Sequence, residues 1–277
     1  MRRVLLWAFV ISLGAARPGL GQAIELVRIN GSGSALDLIR PVAESYQRSH
    51  RQVRIVLEKP LGSSGAIKAL LAGALDLAMS SKPLSAEEAG RGARLRAYGR
   101  TPLAIVTEPG VSASDVTTQQ LEEIYSGKVT QWPQGGPIRL VLRPQGDVDT
   151  LILRALSPGL DQAVSLSQVR PGMLMAVTDP EATALIARTQ GALGAVGLAS
   201  VLGEKLPLKV LTLNGVRPTL GTLASGTYPM AKEISVVTTP RTAAAALAFI
   251  DFLFSKSGRT LAEKAGVLVT GSAALSR

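Results

Sequence analysis

The 277-residue chain has no cysteine, one histidine, and aromatic side chains at only 4% of its positions. Without cysteine there is no thiol nucleophile and no thiolate metal ligand. The single His50 stands at the polar end of a helical pattern, away from every loop considered below, so a Ser/His/Asp arrangement has no base to work with. Neither a metal nor a cofactor is expected, and the chain does not read as an enzyme. Its Lys and Arg residues are scattered, with no basic run interleaved with aromatics, so no nucleic-acid partner is expected either.

Long apolar runs are almost as scarce. Only Val4 to Leu13, behind Met1, Arg2 and Arg3, has the basic-then-apolar order of a targeting segment, and it is too short to span a bilayer comfortably. It reads as a secretory signal over residues 1–23, with small residues at Gly14, Ala15 and Ala16 and again around Gly21 and Ala23. Cleavage after Ala23 is the preferred reading and an uncleaved anchor is its alternative. The expected location is the periplasm or another extracytoplasmic space, with no membrane span after cleavage. Cysteine is dispensable there, because a domain of this size buries enough apolar surface to fold without disulfides. The formal net charge is +10, and loss of Arg2, Arg3 and Arg17 with the signal leaves +7. A diffuse positive field of this kind steers small anions; a plain solubility charge is the other reading.

What the chain does contain is a regular alternation. Short apolar runs at Leu26–Ile29, Ile55–Leu57, Leu75–Met79, Leu103–Val106 and Ile138–Leu142 alternate with helical patterns, which implies an α/β fold. Ala35–Ser49 and Thr242–Phe254 place apolar residues at helical spacing and are expected to be amphipathic helices. No flexible linker or fixed-period repeat intervenes. Two lobes joined by crossing strands leave this signature, with the crossings expected near Ala104–Thr107 outward and Tyr228–Val237 on return. The expected division is lobe 1 over 24–106, lobe 2 over 107–227, and a return to lobe 1 over 228–277.

Four polar turns stand between strand and helix patterns: Gly31-Ser32-Gly33-Ser34, Gly62-Ser63-Ser64-Gly65, Ser80-Ser81-Lys82-Pro83 and Arg143-Pro144-Gln145-Gly146-Asp147. A helix start offers unpaired backbone N–H groups and a positive dipole end, and Ser hydroxyls add donors. Arg143 adds a forked cationic donor. Ordinary capping accounts for any one such turn, and Ser85-Ala86-Glu87-Glu88 reads as a capping box with no further role. Four in order are harder to assign to capping, because open α/β sheets gather these turns at the carboxyl ends of their strands, where ligands bind.

Several blocks resemble the phosphate-binding proteins of bacterial phosphate ABC transporters, which have the type II periplasmic-binding fold: the early GSGS turn, LGSSGAIKALLAGALDLAMSSKPLS, VTTQQLEEIYSGKVTQW, RPQGD, YPM and FLFSKSG. In the third block, Tyr125 and Trp132 serve as a family fingerprint and are expected to be core aromatics around a helix C-cap. The resemblance implies a two-lobed, periplasmic-binding-protein-like (type II) fold with the ligand cleft between lobes. It implies a donor turn at Ser34 and Ala35, donors at Ser63 and Ser64, an acceptor position at Ser81, a clamp at Arg143, and helix-start donors at Asp147, Val148 and Asp149. Several positions depart from the family pattern. Ala35 is commonly a hydroxyl residue there, Ser81 is often acidic, and Asp147-Val148-Asp149 is normally Ser-Gly-Thr.

The function so implied is extracytoplasmic capture of a small oxyanion, phosphate preferred and sulfate possible, by a monomer that serves an ABC transporter permease. A sensor, scaffold or interaction protein on the same fold, with altered or lost anion binding, is the alternative. Two further points stay open. Arg143 contacts the ligand or is spent on a salt bridge to Asp147 or Asp149. Asp147 caps its own helix and points away, or faces the crevice and accepts the phosphate proton in place of Ser81.

Overall fold

A computed structural model describes residues 24–271, so the expected signal at 1–23 lies outside the described residues. The first part of the chain alternates β1 (Glu25–Gly31), α1 (Gly33–Ser49), β2 (Val53–Leu57), α2 (Gly62–Leu71), β3 (Leu77–Ser80) and α3 (Ala86–Gly90), then enters the long β4 (Arg94–Thr107). The middle part comprises β5 (Asp115–Val116), α4 (Thr118–Ser126), β6 (Arg139–Leu142), α5 (Val148–Arg154), α6 (Pro158–Val169), β7 (Leu174–Met175), α7 (Asp179–Arg188), β8 (Ala192–Gly197) and α8 (Leu198–Glu204). After β9 (Lys209–Val210), β10 (Thr212–Leu213) and α9 (Leu220–Ala224), the chain returns through β11 (Ala231–Thr238), α10 (Ala244–Phe254), α11 (Lys256–Lys264) and β12 (Leu268–Val269).

The main sheet runs β2-β1-β3-β11-β4-β8-β6-β7. Its two wings, β2-β1-β3 and β8-β6-β7, are parallel, as strand–helix–strand units require, and antiparallel pairings of β11 and β4 join them. Within β4 the partner changes. Arg94 to Pro102 pair with β11, whereas Leu103 to Thr107 pair with β8, so the strand passes from one wing to the other just ahead of the expected crossing.

Each wing has its own core. Val27, Ile29, Leu38, Tyr98, Phe249 and Leu253 pack together on the first; Leu103, Leu121, Tyr125, Trp132, Leu140 and Tyr228 pack on the second. A fully buried aliphatic or aromatic side chain contributes roughly 1.5–3 kcal/mol, so each cluster is a sufficient core for a lobe. Two of the buried tyrosines satisfy their polar ends: Tyr98 Oη donates to the Leu253 carbonyl and Tyr228 Oη to that of Leu103. The architecture is thus the expected two-lobed α/β fold. The lobes meet away from β4 as well, since Ala199 of α8 packs into the first core beside α1.

Local signals explain the helix boundaries. α4 ends at Gly127 in the left-handed conformation (φ 83°), which a residue without Cβ adopts freely. Tyr125 and Trp132 are core residues, the indole N–H of Trp132 donating to the Gly191 carbonyl at 3.1 Å. Ser85 and Glu88 form the expected reciprocal capping box of α3, so that helix starts at Ala86 and the Ser80–Pro83 turn is not itself a helix start. Among the described residues, no helix is long and apolar enough to cross a membrane.

Candidate functional site

A cleft of about 260 Å³ opens where the two wings face each other. One wall is made of turns from the first wing. Asn30, buried at the end of β1, fixes the approach to α2: its carboxamide oxygen accepts from Gly31 and Leu61 N–H, and its amide donates to the Lys59 carbonyl. Ser63 and Ser64 at the start of α2, with Ser32 and Ser81, present hydroxyls to the cleft. Ser32 and Ser81 are joined Oγ to Oγ at 2.9 Å, and the Ser63 hydroxyl accepts from the Ser81 N–H at 2.9 Å, leaving its own proton to donate elsewhere. Lys82 is also on this wall, but Glu88 holds its ammonium at 2.9 Å.

Opposite lies a cluster of five charged side chains. Arg143 follows β6, Asp147 caps α5, Asp149 lies in the first turn of α5, Asp179 opens α7, and Lys232 comes from β11. Arg143, Asp149, Asp179 and Lys232 are 7%, 1%, 2% and 2% exposed, a depth at which charges persist only when paired. Arg143 Nη2 donates to Asp147 Oδ2 at 2.8 Å and to Asp179 Oδ1 at 3.1 Å, Nε donates to Asp147, and Nη1 donates to the Ala176 carbonyl. Four of the five guanidinium N–H donors are thereby engaged. Lys232 Nζ stands 2.7 Å from Asp149 Oδ1 and donates to both oxygens of Asp179.

Position in this cluster separates the carboxyls. Burial would raise the Asp179 carboxyl, but Lys232, Arg143 and the Ser34 N–H outweigh it and hold the group far below the usual carboxylate range. For Asp149 burial dominates, only partly offset by Lys232, and pushes the carboxyl up to about 6. Lys232 is held above its ordinary value: burial would lower it, and Asp149 and Asp179 more than compensate. Three carboxylates therefore face two cations in one buried group.

Of the residues expected from the sequence, the structure brings Ser63, Ser64, Ser81, Arg143, Asp147 and Val148 to this one cleft. Ser34 lies behind the lining, its N–H and hydroxyl both donating to Asp179 and its hydroxyl meeting Ser200. Ala35 is buried in the first-wing core. Asp149 is behind the wall against Lys232, and its N–H is taken by the Asp147 carboxylate at 2.9 Å. Asp147 caps α5 and pairs with Arg143 without leaving the cleft wall, so capping does not turn it away from the crevice. Sequence reasoning missed Asp179 and Lys232. Thr178-Asp179-Pro180-Glu181 carries a helix-start signature, with the Thr178 cap and Pro180 in the first turn, and so marks a fifth such junction. Lys232 stands beside Glu233 in the return strand, and that local pattern does not mark which of the two is buried; the structure buries Lys232. His50 sits elsewhere, stacked on Tyr46 at 3.9 Å. Among the described residues, no group of three or more His, Cys, Asp or Glu is placed to hold a metal ion.

The model of the PBP superfamily domain matches residues 16–257. The chain belongs to the PBP superfamily. This PBP-superfamily chain is 24% identical over 280 residues to the phosphate-binding protein PstS of Borreliella burgdorferi, covering 97% of this chain and 99% of that protein. It is also 24% identical to PstS of Bacillus subtilis, over 86% of this chain and 78% of that one. Among solved structures, a putative phosphate ABC transporter substrate-binding protein from Clostridium perfringens, with bound phosphate, superposes with a TM-score of 0.75 at 22% identity, covering 89% of this chain and all of that one.

Proposed function

We propose that this protein captures a small oxyanion, phosphate in the first place, in the cleft between its lobes outside the cytoplasm and delivers it to the permease of an ABC transporter. The observation that carries the reading is the convergence of Ser63, Ser64 and Ser81 from one wing and Arg143 from the other on a single cleft. Hydroxyl donors, the N-terminal end of α2 and a guanidinium are the groups that bind tetrahedral oxyanions. Relatives named for phosphate binding, aligned over nearly the whole chain, support the same ligand class. In this reading the lobes are 24–106 with 228–277, and 107–227, the chain is exported by its 1–23 signal, and it works as a monomer. Asp147 accepts the proton of hydrogen phosphate, the task that a serine at position 81 cannot perform.

One observation favours a second reading, in which the same fold serves as a sensor or interaction protein with weakened anion binding: Asp147 and Asp179 already occupy the Arg143 guanidinium. A thermal-shift titration of the purified protein separates the two, since a ligand that binds only the folded state raises Tm by mass action. Capture predicts a rise with phosphate that exceeds the rise with sulfate. No rise with either anion would leave the second reading in its place.

A further inference from the structure

Asp179 holds a position unlike that of the other two carboxylates. Asp149 faces Lys232, and Asp147 faces Arg143 and its own helix. Asp179 collects donors from three separate segments: the Ser34 N–H at 2.8 Å and Ser34 hydroxyl at 3.0 Å from the start of α1, Arg143 at 3.1 Å from the end of β6, and Lys232 at 3.1 Å from β11. A helix-start N–H, a hydroxyl, a guanidinium and an ammonium around one group of negative oxygens are the donors that an oxyanion site assembles. The carboxylate also lies where two long helices begin. α1 and α7 approach so closely here that a Cβ on Gly33 would stand 2.5 Å from Asp179 Cβ, so only glycine fits. Both dipoles thus present their positive ends to this negative group.

We propose that Asp179 is an internal anion that competes with the captured one and sets the affinity of the cleft. Phosphate or sulfate gains full use of Arg143 and Lys232 only as the Asp179 carboxylate gives them up. The inference rests on the reading of the cleft as an oxyanion site. Because Asp179 stays ionised far into acid, it competes throughout the neutral range, whereas Asp149 takes up a proton at the lower edge of that range, at about 6. Because it repels negative charge without accepting a proton from the ligand, it acts on phosphate and sulfate alike. Asp147, in contrast, alters the ratio between them.

Calorimetric titration of the wild-type protein and of Asp179→Asn with phosphate and with sulfate tests this. The variant keeps an oxygen for the Ser34 N–H and leaves Arg143 with Asp147 and Lys232 with Asp149. It is expected to bind both anions at least about tenfold more tightly, the gain that follows from exchanging a buried charged competitor for a neutral acceptor. A folded variant with equal or weaker affinity than a binding wild type overturns the proposal and leaves phosphate capture standing. Binding by the variant alone upholds the proposal and removes capture by the natural chain. Binding by neither overturns both. Should Asp179→Asn not fold, the Asp179 carboxyl carbon resonance of the wild type decides: it is expected to shift as phosphate saturates the protein, and a resonance unmoved at saturation overturns the proposal.

Discussion

The two walls of the cleft are made of different chemistry. On the first wing, Ser32, Ser63, Ser64 and Ser81 are neutral and lie in short turns, and short hydrogen bonds link Ser32, Ser81 and Ser63. On the other wall, Arg143, Asp147, Asp149 and Asp179 of the second wing join Lys232 of the connecting strand β11; all five are charged, and all but Asp147 are almost wholly buried. Neutral donors cost little to hold ready, because each keeps a partner without the desolvation penalty of an ion. Buried ions are interdependent: each is tolerable only while the others are present. The first wall is therefore expected to behave as separable contributions and the second as a unit.

Breaking the charged wall gives the largest effect. Lys232→Met leaves Asp149 and Asp179 facing each other without their shared cation, and a loss of about 3–5 kcal/mol of stability is expected in urea unfolding. A loss below 1 kcal/mol would show that the cluster is not a unit. Arg143→Ala comes next, costing about 2–5 kcal/mol of phosphate binding by calorimetry; unchanged affinity would place the anion away from this wall.

A carboxyl outside the cleft sharpens the comparison. Asp37 of α1, beside α8, has a buried Oδ2 with no hydrogen-bond partner among the described residues. Burial pushes its carboxyl up to about 7, although the Ser200 hydroxyl and Arg40 pull the other way. A carboxyl raised in the folded state contributes stability that is complete below its ordinary value near 4 and lost as pH rises through about 7. Asp37→Asn is therefore expected to match the wild type near pH 4 and to exceed it by about 2 kcal/mol at pH 8, read from unfolding at the two pH values. A gap that does not grow with pH would mean that Asp37 is paired as well as the cleft carboxylates are. The smallest effect belongs to the neutral wall: Ser63→Ala is expected to weaken phosphate binding by about 1 kcal/mol and to leave stability nearly unchanged.

The same contrast explains what was legible in the sequence. Short apolar runs marked β1, β2, β3, part of β4 and β6, and helical spacing marked α1 and α10, because burial is a local property of a segment. Ser63, Ser64 and Ser81 were readable as site residues because their turns recur between strand and helix patterns and because the family resemblance points to those positions. Arg143 was readable from its place at a strand end. The partners of Arg143 were only half readable. Asp147 is four residues away on the same turn, whereas Asp179 arrives through the start of α7 and Lys232 through the return strand. No local pattern states which distant ions meet, since the pairing is decided by sheet order and by the approach of α7 to α1. Ser34 illustrates the same limit: it stands in the expected turn, yet its donors serve Asp179.

Both walls are expected to serve one anion, and diffraction from crystals grown with saturating phosphate decides whether they do. The expected result is a single phosphate in the cleft, within hydrogen-bond distance of the Ser63 or Ser64 hydroxyl on one side and of Arg143 on the other. A phosphate that contacts one wall only, or an empty cleft in a protein that binds phosphate elsewhere, would contradict it.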